Sequence, residues 1–350
     1  MQNCIPNDPP SNLSGMGSGI ISVEPYREIG NSRSLMEILL SDHTTGSNLI
    51  WATDDYSSEG SGFNARDTMR YLFLIDPNRV IRPRYLKPQS EQRNRSRDMA
   101  EVFTPPWIVN KQNNLVDEQW IGIKDAFNIE HRNSWTVTDR VRFGDRSWED
   151  YVTSIRMEVC CGEAPYLTTR YDSINGFEIP VRSRVGFLDR KLRVVSENVD
   201  EPEDWLTWAK TAVKSVYAYD FQGDNVLLAR ENLLLTFIEF YREKFEEEAP
   251  QSSMETVANI LSWNIWQMDG MKMVVPFSCE SSYRTEAGVI TSNRCNACKT
   301  GTGRHIGKYC RIMDWGKGAS VEYASMMKKE RKERGAKSAK NVANTLDGWF

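Results

Sequence analysis

Apolar and polar positions alternate most clearly at Ile155, Met157 and Val159, set against Arg156 and Glu158. A period of two marks a strand. Gly162 follows where the backbone must turn sharply, so residues 157–167 are expected to form a strand, a tight turn and the start of a helix. Two further strands are expected at 216–219 and 262–268, the first ending at Asp220 and the second at Asp269. Between them, residues 225–247 carry Leu227, Leu234, Ile238, Tyr241 and Phe245 on one helical stripe, which is core packing. Helices are also expected at 34–40, from Trp107 onward, at 202–213, and at 252–261, where Ser252 and Glu255 have capping-box spacing. Residues 48–52 and 309–313 suit short strands. Strands alternating with helices from 155 onward imply an α/β fold with a mostly parallel sheet. About 55 residues separate the Gly162 junction from Asp220, so 168–198 is an insertion or an elaborated helix. Residues 1–32, rich in Ser, Gly, Asn and Pro, are expected to be loosely ordered.

Composition narrows the class. Hydrophobic residues make up 40 % of the chain and charged residues 26 %, as in an ordinary globular protein. No run of 18 apolar residues spans a membrane, and the N-terminus lacks the basic and apolar regions of a signal peptide. With seven cysteines, an odd number, the chain is expected in the reducing cytoplasm. A net charge of −4 leaves nucleic-acid binding to local patches. Arg79, Arg82, Arg84, Lys87, Arg93, Arg95 and Arg97 form one such run, which either tracks a phosphate backbone or is a solvated linker. Pro83 and Pro88 argue against a regular helix there. The basic stretch 326–340 offers the same pair of readings. Asp54 and Asp55 suit a turn or, alternatively, a metal.

A second constellation is rich in cysteine. Cys295 and Cys298 form a C-x2-C knuckle, with Cys279 16 positions before it and Cys310 12 after it. Four thiolates in a short polar stretch fit a structural tetrahedral zinc site, in which His305 could replace one of them.

Four stretches taken in order carry a resemblance. They are Glu101 to Pro105; Glu158 with Gly162, Glu163 and Leu167; Asp220 with Ala229, Arg230, Asn232 and Leu233; and Asp269. Over about residues 98–275 the set resembles the gamma-class N6-adenine DNA methyltransferases, the modification subunits of restriction–modification systems. The resemblance implies a Rossmann-like class I methyltransferase sheet that binds S-adenosylmethionine. Phe103, Thr104 and Pro105 would hold its methionine part, with Thr104 capping the following helix. Glu158, Gly162 and Glu163 would line the glycine turn. Asp220 would accept from the ribose, with Asp224 the better placed helix cap, and Asp269 would meet the adenine amino group. Ala164 replaces the family's second glycine and would narrow the approach to the ligand. No Asn-Pro-Pro-Tyr motif follows Asp269. Asp314, beside Trp315, is the one weak catalytic candidate and lacks the prolines.

The expected organisation is an N-terminal extension (1–98), a cofactor-binding domain (99–275), a cysteine-rich knuckle (276–315) and a basic tail (316–350). The expected function is the cofactor-binding part of an adenine-specific methyltransferase acting on double-stranded DNA, with a partner subunit or a C-terminal continuation supplying the target-base pocket. The alternative is a catalytically inactive methyltransferase fold that binds DNA or another subunit.

Overall fold

The computed structural model describes residues 19–75, 80–98, 101, 104–280, 282–286, 289–293 and 295–327. Strands β1 (Arg156–Val159), β2 (Val216–Asp220) and β3 (Ile265–Gln267) form one parallel sheet in that order. Arg156 faces Val216, and Ala218 faces Ile265. The fold is α/β with small sheets, since four two-stranded antiparallel ladders make up the rest of the strand structure among the described residues.

Helices cover one face of the sheet: α5 (Phe187–Asn198), α6 (Pro202–Lys214), α7 (Gly223–Phe245) and α8 (Gln251–Asn264). Val216, Ala218 and Ile265 point into this helical core. Tyr217, Tyr219, Trp266 and Met268 point the other way, against Cys310, Ile312 and Tyr323 of a hairpin, β4 (Arg311–Asp314) and β5 (Ala319–Glu322). Every residue of β2 is therefore buried, as a parallel strand covered on both faces should be.

β1 has an unusual polarity. Its charged residues Arg156 and Glu158 are the buried ones, while Met157 and Val159 are exposed. Partners on the inner side explain it. Arg156 pairs with Asp117, and the Glu158 carboxylate accepts from the Tyr166 and Leu167 N–H groups at 3.3 and 3.2 Å.

The N-terminal part belongs to the same core. Residues 24–31 form a helix, α1 (Glu24–Asn31), where loose order was expected, and α2 (Arg33–Leu40) follows. Tyr26 donates to Asn232 of α7, and His43 stacks on Trp263 at 3.8 Å. Arg230 of α7, fully buried, donates to the carbonyls of Leu39, Ser41, Ser262 and Ile265, which joins α2, α7, α8 and β3. One apolar cluster runs from Ile21 to Ile265.

Among the described residues of the charged run, 80–97, Lys87 and Arg95 differ from both expected readings, while Arg82, Arg93 and Arg97 are exposed. Pro88 starts rather than breaks a helix, α3 (Gln89–Asp98), because its carbonyl accepts the first helical bond and its missing N–H is not needed there. Arg95 is buried and pairs with Asp55, Glu101 and Asp224 at 2.9, 2.5 and 2.9 Å. Asp224 also accepts from Tyr56, and Lys87 lies 3.5 Å away. Asp224 is thus a counter-ion inside the protein and does not cap α7, and Asp55 serves Arg95. The expected Ser252 cap is likewise absent, since Pro250 holds the N-cap position of α8 without a side-chain bond.

Burial alone would raise the Asp224 pKa, but Arg95 and Lys87 outweigh it and hold the carboxyl at about 2, below its ordinary 3.8. Its stabilising contribution is therefore present above the unfolded value and lost as pH falls through the folded one. Asp224→Asn should cost roughly 3–5 kcal/mol in chemical unfolding at neutral pH, because two buried cations lose a counter-charge. The gap between wild type and variant should shrink as pH drops from about 4 towards 2. An equal gap at both ends of that range would contradict the assignment.

Candidate ligand crevice and metal centre

The carboxyl ends of the parallel strands bring three of the sequence-derived positions together. After β1 the chain makes a turn in which Cys160, Gly162 and Ala164 all have left-handed backbone, with φ of +50°, +54° and +63°. For a residue with a β-carbon this conformation costs about 1–2 kcal/mol. It persists because the turn is held from outside. Gly162 N–H donates to Asp220 Oδ2 at 2.9 Å, and Cys161 N–H donates to the Tyr219 carbonyl. Ala164 keeps the conformation that a glycine would favour. Its methyl is fully buried in the core, so it packs inward and does not narrow the approach to the turn.

Carboxyls surround this turn. Glu158 holds the N–H groups of Tyr166 and Leu167 from below, and burial pushes its pKa well up. Glu163 accepts from the Tyr171 hydroxyl at 2.5 Å and the Arg84 N–H at 2.6 Å, and burial raises it too. Asp220 accepts from Gln222 N–H at 3.0 Å and from Asn225 at 3.4 Å, besides Gly162; burial raises its pKa against those donors. The expectation of a free Asp220, with Asp224 capping the helix, is thus reversed. Asp269 follows at the next strand end, where Met268 N–H bonds to the Asp220 carbonyl. It accepts from Met271 and Lys272 N–H groups and pairs with the Lys272 ammonium at 3.0 Å.

A strap from the N-terminal part crosses the ends of β2 and β3. Gly223 N–H donates to the Trp51 carbonyl, and the Gln267 side chain bonds both N–H and C=O of Ile50. A β-carbon on Gly223 would meet the Ile50 oxygen at 2.0 Å, so only glycine allows this approach.

The remaining expected positions lie as follows. Phe103 falls outside the described residues. The Thr104 carbonyl accepts from Ser173, but its hydroxyl caps nothing; Pro105 occupies the N-cap position of helix α4 (Pro106–Ile121). Arg230 and Asn232 of the A-R-E-N-L stretch are structural ties, Asn232 holding the Glu163 carbonyl. Asp314 pairs with Lys317 on the hairpin turn and shares a groove with Ile155, Lys214 and Ser215. Those residues stand at the amino ends of β1 and β2, opposite to Gly162 and Asp220, so Asp314 is not part of the crevice.

The cysteine constellation closes around a different fourth ligand. Cys279, Cys295, Cys298 and His305 place one ligand atom each within 4.8 Å of one another. Cys279 and Cys298 sulfurs are 3.6 Å apart, and His305 Nδ1 lies 3.5, 3.5 and 3.3 Å from Cys279, Cys295 and Cys298. A tetrahedral ion with ordinary zinc bond lengths would give edges of about 3.8 Å between sulfurs and about 3.5 Å between sulfur and nitrogen. The cluster could therefore hold a metal ion. Cys310 is excluded: it lies fully buried on the sheet's outer face with its thiol on the Gln267 carbonyl at 3.4 Å. Gly307 makes the His305 loop possible, since a β-carbon there would meet Cys279 Cβ and Ser278 Oγ at 2.8 Å. The Cys298 N–H draws the Cys295 thiol down to about 6.

Compared with known proteins, the chain matches no family model, no curated protein and no solved structure. No helix among the described residues is long and apolar enough to cross a membrane.

Two predictions follow from this geometry. Cys160, exposed and left-handed, should be replaceable by glycine with a gain of roughly 0.5–1 kcal/mol in unfolding free energy, the relieved strain less the entropy that glycine loses. A loss of stability would show that the thiol has a partner that holds it. Protein purified without a metal-affinity tag should carry about one metal ion per chain. Cys298→Ser and His305→Ala should lose it and Cys310→Ser should keep it; the opposite pattern would restore the ligand set expected from the sequence.

Proposed function

We propose that the chain is the S-adenosylmethionine-binding part of an adenine-specific DNA methyltransferase. The observation that carries this reading is the Gly162 turn bound to Asp220 at the carboxyl ends of neighbouring parallel strands, with Asp269 at the next strand end. Open α/β sheets bind their ligands there. The donor set suits the ligand. Asp220 and Asp269 bring carboxyls to neighbouring strand ends, which suits a sulfonium cation, and a carboxylate has about four acceptor sites, of which Asp220 uses three within the protein. One remains for a ribose hydroxyl. Bound S-adenosylmethionine supplies the methyl group; this chain's part is to fix the cofactor by Asp220, by Asp269 and by the backbone of residues 160–164.

Methyl transfer to adenine also needs acceptors that draw on the protons of N6 and an aromatic face that holds the flipped base. Asp269 is assigned to the cofactor, and Asp314 faces the wrong end of the sheet, so a partner subunit or a C-terminal continuation is proposed to provide both. Exposed Arg82, Arg93 and Arg97 suit contact with DNA phosphates. The Cys3His centre is proposed to hold structural zinc, which fits a closed ligand set of three thiolates and one imidazole.

A second reading has its own observation. The three bonds that Asp220 accepts within the protein are what an inactive, purely structural strand end would show. Such a chain would serve as a DNA-binding or interaction subunit.

Calorimetry separates the two. S-adenosylmethionine should bind the folded chain, and Asp269→Ala should weaken binding by about 1–3 kcal/mol, the cost of leaving a buried polar group of the ligand without its acceptor. No heat at millimolar cofactor would remove the methyltransferase reading and leave the second.

A further inference from the structure

Among the described residues strand β1 hydrogen-bonds to β2 along one edge only, and its outward residues, with Ile155 just before it, are apolar and open. Ile155 is 68 % exposed, Val159 60 % and Met157 38 %. Natural edge strands are usually blunted by lysine, proline or a bulge; the outer face of β1 carries none of these. The hairpin β4–β5 covers β2 and β3 but stops short of β1. What is left is a groove of about 930 Å³ between β1, the end of α6 and the hairpin, walled by Ile155, Met157, Tyr217, Trp315, Tyr323 and Met327. An uncovered apolar groove of this size marks an interaction site.

We propose that residues 341–350 of the same chain occupy this groove. The described chain ends at Met327, on the groove wall itself, so the segment starts its path beside its site. Eighteen residues separate Met327 from Leu346. As a coil they cover about 25 Å, enough to enter the groove from any side. The sequence NVANTLDGWF places Val342, Leu346, Trp349 and Phe350 at i, i+4, i+7 and i+8, a single apolar face at helical spacing. These are the residues that a basic, solvated tail has no reason to carry. Charge sorts the two halves of the tail. The groove rim is cationic, with Lys214 lying over the Trp315 ring at 5.3 Å and without an ion pair among the described residues. It repels the Lys/Arg-rich stretch 328–340 and suits Asp347, in the middle of the apolar segment. Tethering also supplies an effective concentration near the millimolar range, so modest contact area is sufficient. The groove lies at the amino ends of the strands, away from Gly162 and Asp220, so docking leaves the crevice open. The inference does not depend on the proposed function.

Photo-crosslinking of the full chain tests it, with p-benzoylphenylalanine in place of Phe350. Irradiation should join position 350 to peptides covering 153–159 or 323–327, with a yield unchanged when the protein is diluted tenfold. Met157→Lys in the groove, and separately Trp349→Ser in the tail, should each lower the yield by about tenfold, a loss of 1.4 kcal/mol of docking. Two variants on opposite sides of the contact keep the test independent of either one's folding. Cross-links to other surfaces, or none, would overturn the proposal. So would a yield that falls with dilution, which would seat a second copy in the groove instead.

Discussion

The Asp220 carboxylate fixes the arrangement at the strand ends. It is buried, and it accepts from Gly162 on the turn after β1, from Gln222 and from Asn225 at the start of α7. A buried carboxylate has to be satisfied in this way, or its desolvation would cost several kcal/mol. The bond to Gly162 holds the left-handed turn, and the same carboxylate ties Gln222 and Asn225 where α7 begins. The position of the turn relative to the sheet therefore follows from one charged group. Strain stored at residues 160 and 164 is the cost of that bond, and such strain collects at functional sites.

Around this point the protein uses buried charge as scaffolding. Arg95 and Asp224 bring α3 and the Asp55 turn onto α7, and Arg230 binds four carbonyls from α2 and its exit, α8 and β3. Breaking one member of such a group leaves an uncompensated buried charge. That is why the N-terminal segment, with few regular elements among the described residues 41–75, holds a fixed place across the ends of β2 and β3. Near the Cys3His cluster, which could hold a metal ion, the described residues have a small apolar patch of Val274, Ala297 and Tyr309 with Cys279 and Cys295.

Much of the fold was legible because its signals are local. The strands at 156 and 216, α2, α6 and α7 follow from apolar period and from acidic or proline starts, and the structure places them within a few residues of expectation. The strand expected at 262–268 is shorter because α8 runs on to Asn264, whose side chain holds the carbonyls of Val213 and Val216; a long-range contact decides that boundary. What stayed hidden was partnership. Alternation at β1 shows a strand but not that Arg156 and Glu158 face inward, which depends on Asp117 and on the N–H groups of residues 166 and 167. A run of arginines reads as solvated until Asp55, Glu101 and Asp224 converge on one of them. The C-x2-C knuckle pointed to a candidate metal cluster, yet spacing alone does not choose between His305 and Cys310; the fold does, by bringing His305 to the three thiols and seating Cys310 on the Gln267 carbonyl.

The central claim is that the turn at 160–164 and the strand end at 269 bind one cofactor together. Amide hydrogen exchange, with and without saturating S-adenosylmethionine, tests it most directly. The account predicts slower exchange at residues 160–164 and 269–272, with the distant cluster at 295–305 unchanged. Equal exchange at the two strand ends in both states, in a protein that is otherwise folded, would contradict it.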